Sequence, residues 1–382
     1  MTRLRQTFGA LVLVTAAVTL AACTSFAPSA SLGPVAVEPA VITVDQPPAV
    51  SLPPGAHSVR TVAVSTPPRA VGDVFISAVF PDATHDDLRI VAFDDSSTRW
   101  TLATNPSCSG WADSVTAAGV RVVVVLDSDA RVDDGVIAQT TVASGFRADS
   151  GGQLWSGRGV IGPVRGTGVI FTGAVGSVLS NATAATQTLR GDDGGAVEHP
   201  HEAELAPVFE HAGVVVLSGG SDFVGFDSQT NRELWRQGSA GTLDTARSHG
   251  HVFATLPEGE LRHVFTGAVL AQGAVTSAAV SADASLTALT MTMDGATHVM
   301  LVDGEGIRWR QPVDAGSRVT AVATEQLFID TGRQRRILAT LDGSLLAEGS
   351  FAAPVALTTQ GVAVVATDDP QLYEVIRFDN DG

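Results

Sequence analysis

The feature that most restricts how this chain can fold is an internal repeat: a short apolar strand, a polar turn, and a second strand ending in tryptophan. Clear copies run from Leu88 to Trp100, Val142 to Trp155, Phe223 to Trp235 and His298 to Trp309. Weaker copies without tryptophan surround Asp192–Gly195, Thr266–Gly267 and Asp342–Gly343, and a last one begins at Leu372 and reaches its turn at Asp379–Gly382. The Asp-Gly, Gly-Gly and Asn-Asp turns supply positive φ at little cost, which tight hairpins demand. An apolar strand follows each hairpin, opened by Gly119, Gly168, Gly213, Gly250 or Gly361 and more loosely near Ser285 and Glu325; Gly72 opens the one before the first hairpin.

Four of the five tryptophans, Trp100, Trp155, Trp235 and Trp309, stand at the same place in the repeat. A large ring there is expected to pack between neighbouring sheets. Spread over eight units, residues 57–382 give about 41 residues each, the span of a four-stranded propeller blade. The phase of the repeat at its two ends points the same way. The last copy stops in its turn, and Ser58–Val64 is an orphan strand that precedes Gly72 as the tryptophan strands precede their own glycines. The expected fold is therefore all-β: a β-propeller of eight four-stranded blades, with seven the alternative, closed by N- and C-terminal strands. A two-sheet sandwich explains the strands but not this complementarity.

The hairpin ending in Leu-Trp, clearest at Asp149–Trp155, Asp227–Trp235 and Asp303–Trp309, resembles the repeat of the PQQ-like (quinoprotein-type) β-propellers. With the N-terminal segment described next, the chain is similar in architecture to the propeller lipoprotein of outer-membrane β-barrel assembly and to actinobacterial lipoproteins with the same repeats. That family contains enzymes and non-enzymes, so the resemblance implies a fold and transfers no site residues.

Residues 1–22 read as a lipoprotein signal peptide. Arg3 and Arg5 precede an apolar run from Phe8 to Leu20, too short to span a bilayer, and the segment ends in Leu20-Ala21-Ala22-Cys23. Those four residues resemble the lipobox of bacterial lipoproteins, which makes Cys23 the expected lipidation site. Two or three chains on one residue anchor stably where a single chain does not. Residues 23–56 carry Pro28, Pro34, Pro39, Pro47, Pro48, Pro53 and Pro54 and read as a spacer, of which Val35–Val44 has the apolar character to dock on the domain. The expected location is the extracytoplasmic face of a bacterial cell membrane. The chain contains no lysine and is rich in Ala, Val and Gly, a composition that suggests a Gram-positive, actinobacterial-type envelope.

Without residues 1–22, 21 basic residues face 40 acidic ones, a net charge of −19. Such a surface repels nucleic acid, which is not expected as a partner. Catalytic signatures are missing: there is no Gly-x-Ser-x-Gly, P-loop or His-Glu-x-x-His pattern, and Cys108 stands alone rather than in a pair. A small buried filler is its expected role. His199, His201 and His211, with Glu202 and Glu210 nearby, have the ligand types of a metal site. Pro200 and the flanking acids favour an exposed polar loop, so neither a metal nor a cofactor is expected. His249 and His251, placed on one face by a strand, form a second such group with His263. The acidic turns at Asp127–Asp129, Asp133–Asp134 and Asp192–Asp193 match no calcium-loop spacing. The reading is a non-enzymatic, lipid-anchored binding or scaffold protein whose partners are membrane lipid through Cys23 and an envelope protein or small ligand. The alternatives are a propeller enzyme of quinoprotein or lyase type and a carbohydrate-binding lipoprotein using Trp111 and Tyr373.

Overall fold

In a computed structural model the described residues are 33–45, 50–81, 88–105, 110–128, 141–158, 170–172, 187–199, 205–238, 241–257 and 259–379. Two short strands, β1 (Val35–Val37) and β2 (Thr43–Val44), precede β3 (Ala56–Ala63). From there each blade is an antiparallel meander that starts at its innermost strand. Blade 1 comprises β4 (Arg69–Val71), β5 (Val74–Val79), β6 (Leu88–Phe93) and β7 (Thr98–Thr104). Blade 2 comprises β8 (Gly110–Val115), β9 (Arg121–Ser128), β10 (Thr141–Arg147) and β11 (Gln153–Arg158). A two-stranded pair follows, β12 (Ile170–Thr172) with β13 (Gln187–Leu189). Blade 3 is β14 (Ala206–His211), β15 (Val214–Gly219), β16 (Asp222–Asp227) and β17 (Arg232–Gly238), and blade 4 is β18 (Thr242–His249), β19 (Val252–Leu256), β20 (Glu260–His263) and β21 (Val269–Gln272). Blade 5 is β22 (Ala274–Val280), β23 (Thr287–Met293), β24 (Ala296–Asp303) and β25 (Gly306–Val313). Blade 6 is β26 (Arg318–Val322), β27 (Gln326–Asp330), β28 (Arg335–Ala339) and β29 (Leu345–Gly349). Blade 7 is β30 (Pro354–Leu357), β31 (Val362–Ala366), β32 (Leu372–Phe378) and, as its fourth strand, β3.

The eight-blade expectation is thereby corrected to seven blades of four strands. Among the described residues the unit expected around Asp192–Gly195 contributes the pair β12–β13 and, beyond its turn, a single bridge, Leu189 to Ala196. A hairpin turn is a local signal that needs no flanking strands, so counting turns counts hairpins rather than complete blades.

Why these residues make blades is visible in their burial. The middle strands are covered on both faces by neighbouring blades, so they are continuous apolar runs rather than alternations. Val122–Leu126 of β9 is buried along its whole length, as are Val214–Leu217 of β15 and Val362–Val365 of β31. Outer strands lie where blades splay apart and are far more exposed: in β17 only Trp235 is buried. The core is accordingly a set of inter-blade clusters, for example Val214, Val216, Phe223, Trp235, Phe253 and Val264 between blades 3 and 4.

Ring closure uses both ends of the described chain. β3 pairs with β32 from Ala56↔Phe378 to Ala63↔Leu372, across 316 residues at Ser58 and Glu374, and the buried Glu374 carboxylate accepts hydroxyl hydrogen bonds from Ser58 and Thr61. Residues 33–44 then strap this seam. Gly33 donates to Asp127 of blade 2 (3.2 Å), β1 adds a fifth strand to the outer edge of β7, and β2 does the same on β3. Between them Ala40 exchanges hydrogen bonds with Thr98 and Thr101 (both 2.9 Å), and Ile42 is buried among Val62, Val64, Phe75 and Phe93. Covering an outer strand in this way satisfies backbone groups that an edge otherwise exposes.

Candidate functional site

The repeat tryptophans occupy one structural position. Each indole stands on an outer strand and donates Nε1–H to a carbonyl in the hairpin of the next unit: Trp100 to Ala148 (2.9 Å), Trp155 to Gly191 (2.7 Å), Trp235 to Val264 (2.8 Å) and Trp309 to Thr340 (2.8 Å). The face of each ring lies against a turn glycine, Gly151, Gly194, Gly267 or Gly343, at φ of 68°, 68°, 68° and 77°. Those turns need both the left-handed backbone and the missing Cβ, since a Cβ at Gly267 would stand 2.6 Å from the Trp235 ring. These indoles are inter-unit fasteners, Trp100, Trp155 and Trp235 buried and Trp309 half-buried.

The inner strands of consecutive blades pack against one another around the axis, as β14 on β18, β18 on β22, β22 on β26, β26 on β30 and β30 on β4. Because every sheet begins at the axis and runs as a meander, the turns between first and second strands all converge at one end of the ring. There, turns from blades that are not neighbours touch. Gly72, in the β4–β5 turn of blade 1, donates its N–H to Ala282 in the β22–β23 turn of blade 5 (3.0 Å). His211, at the end of β14 in blade 3, donates Nε2–H to Ala284 of the same turn (3.2 Å). Thr359 of blade 7 donates its N–H to Gly72 (3.2 Å). Bonds between blades two or three places apart have to cross the axis, so residues 281–286 close the ring at this end. Ser281, Ala282, Ala284 and Leu286 are buried, while Asp283 and Ser285 face outward. Asp283 caps the turn by accepting from the Ser281 and Ser285 hydroxyls and the Ser285 N–H, and Ala284 takes φ +61°.

Three imidazoles lie beneath this turn. His211 and His251 meet edge to face at 4.4 Å between centroids, His251 stacks on His263 at 6.5 Å, and Phe265 contacts all three. All three histidines are buried. His251 meets Thr287 Oγ1 through both its backbone N–H and its Nδ1 (2.9 Å each). His263 donates Nε2–H to the Asp303 carbonyl (2.9 Å), leaving Nδ1 to accept the Thr266 hydroxyl (3.1 Å). Burial pushes the His211 imidazole well below the ordinary histidine range, helped by the neighbouring His251 and Arg121; burial and His263 bring His251 to about 4, and burial also lowers His263. The cluster is therefore neutral at physiological pH.

The remaining candidates are dispersed. His199 is half-buried, bonded to Thr188 and edge-on to Phe226, away from the partners of His211; His201, Cys23 and Cys108 lie outside the described residues. His249 and His251 do not share a strand face, because Gly250 at φ +51° turns the chain between them. Among the described residues no group of three His, Cys, Asp or Glu side chains is arranged to hold a metal. Asp193 caps its own turn by accepting the Gly195 N–H, and Asp127 ties separate segments together by accepting the Gly33, Asn105 and Ser128 N–H groups. Tyr373 is buried on β32. Trp111 is half-buried on β8 beneath the Arg69 guanidinium (4.6 Å), which is itself paired with Asp113 (2.6 Å), and Arg121 makes the other bond to that carboxylate. The two aromatics expected to stack on sugars are thus covered. The axial turn was missed by sequence reasoning; its one signal is length, since six residues without glycine stand where other blades use Gly72-Asp73 or Ala212-Gly213.

No family model matches the chain, and no curated protein matches it. Among solved structures it is similar to BamB from Moraxella catarrhalis, with 14% identity over 85% of this chain and 100% of that one at a TM-score of 0.42. It is also similar to the β-propeller domain of Cps50 (Swd1) from Myceliophteria thermophila, with 9% identity over 85% and 100% of the two chains and a TM-score of 0.44. For Saccharomyces cerevisiae Sqt1 the figures are 12%, 85%, 98% and 0.41. Likenesses at this level bear on neither partner nor activity.

Proposed function

We propose that this chain is a lipid-anchored, extracytoplasmic binding or scaffold protein that presents a face of its propeller ring to an envelope protein or small ligand. The observation that carries this reading is the course of residues 33–44. They run along the outer edges of blades 1 and 7, so this part of the N-terminal segment docks on the rim of the ring rather than on its inner strands. A segment docked at the rim suits a domain that works by contact through its faces. The side chains with chemical potential support the same choice. The described histidines at the axis are held by backbone and threonine partners, and Asp113 by two arginines, so these groups serve the fold.

Two measurements test it. Growth with an alkynyl fatty acid is expected to label the protein, and Cys23→Ser to abolish both the label and detergent-phase partitioning. Incubation of purified protein with pyrroloquinoline quinone and Ca²⁺ is expected to give no dye reduction; clear turnover would refute the non-enzymatic reading in favour of a quinoprotein.

A further inference from the structure

The turn that closes the axis rests on histidines, and that pairing gives the ring a way to respond to acid. Residues 281–286 are held from outside their own blade by the Gly72 N–H and by His211. The next residue, Thr287, is the hydrogen-bond partner of His251. Two buried imidazoles, 4.4 Å apart between ring centroids, therefore grip the two sides of one short turn. We propose that the β22–β23 turn is a proton-released plug: neutral His211 and His251 hold residues 281–286 across the axis, and protonation of the pair frees that turn and opens the ring at this end.

The surroundings decide whether the pair tolerates charge. On their own elements the neighbours are Glu210, whose carboxylate is turned to the Gly213 N–H, and His249 across Gly250. From blade 4, His263 faces His251, and Arg262 beside it is already paired with Glu260. From blade 2, Arg121 adds a positive charge near His211. Blade 5 supplies the acids, Asp283 and Asp303, and both are engaged: Asp283 caps the plug itself, and Asp303 pairs with Arg308. A second proton on His211 thus meets His251, His263 and Arg121, with the Ala284 carbonyl in its favour, while one on His251 meets His263 and is partly offset by Asp283 and Asp303. Moving the turn outward rehydrates the cations, whereas the strands of blade 5 keep their own ladder.

Hydrogen–deuterium exchange of the full-length protein in detergent micelles at pH 7.5 and pH 5.0 tests this, after correction for intrinsic exchange rates. With His251 at about 4 in the closed state and at an ordinary ~6.5 once released, one imidazole alone multiplies the open population about 30-fold at pH 5. Residues 281–286 are expected to gain about that factor while β23 and β24 stay protected. Unchanged protection of 281–286 at pH 5, or simultaneous exchange of all strands, would overturn the proposal. The His211→Gln/His251→Gln variant is expected to lose the pH dependence, and retention of the 30-fold response would equally overturn it. If that variant does not fold, the wild-type comparison decides alone.

Discussion

Replacing Trp235 tests whether the repeat tryptophans fasten blade to blade. The indole stacks on Phe253 of blade 4 at 5.9 Å and 4°, and donates to the Val264 carbonyl at 2.8 Å. Trp235→Phe keeps an aromatic ring against Phe253 but removes the donor. A buried carbonyl deprived of its partner costs ~1–3 kcal/mol. The smaller ring forfeits ~1 kcal/mol of burial at ~25 cal/mol per Å². The expected loss is therefore ~2–4 kcal/mol, rising to ~3–5 kcal/mol for Trp235→Ala, where a cavity opens between Gly225 and Gly267. The neighbouring Leu234 is 46% exposed, so Leu234→Ala is expected to cost under ~1 kcal/mol. Urea unfolding followed by far-UV circular dichroism measures all three, because the backbone signal does not depend on the residue removed. A Trp235→Phe protein within ~0.5 kcal/mol of wild type, or a Leu234→Ala protein as weak as Trp235→Ala, would refute the fastening argument.

Three other outcomes are expected. Stability falls as pH drops from ~6.5 towards 4, because the unfolded chain binds protons that His211, His251 and His263 refuse when folded; His251 alone accounts for up to ~3 kcal/mol by pH 4, and chemical denaturation at stepped pH with the His251→Gln variant as reference reads it. Ile42→Ala loosens the strap across the seam and costs ~2–4 kcal/mol by calorimetry, whereas Val41→Ala, at a residue 94% exposed, is within ~0.5 kcal/mol of wild type. Gly225→Ala places a methyl 2.1 Å from the Trp235 ring and is expected to lower the melting temperature and shift tryptophan fluorescence, while Gly238→Ala, with open space around it, leaves the spectrum unchanged.

What the sequence disclosed and what it withheld follow from the range of the interactions involved. The tryptophan hairpins were legible because their turn chemistry and apolar runs are local, and the Ser58–Val64 orphan strand did mark the partner of β32. Local signals also misled. The Asp192–Gly195 turn looks like the others and even receives Trp155, yet among the described residues it is accompanied by a strand pair and not a four-stranded sheet, which turned seven blades into eight. His199 and His211 are close in sequence, but one ends on Thr188 and the other at the axis. The axial plug is invisible along the chain because Gly72, His211 and Ala282 meet only once the ring closes, and nothing in their local sequence encodes that meeting.

The scaffold reading is tested most directly by crosslinking the protein in its native host and identifying the captured chains by mass spectrometry. The expected result is a reproducible envelope protein joined through loops on one face of the ring, and lost when those loops are altered. Background alone, under conditions that preserve known envelope complexes, would contradict it.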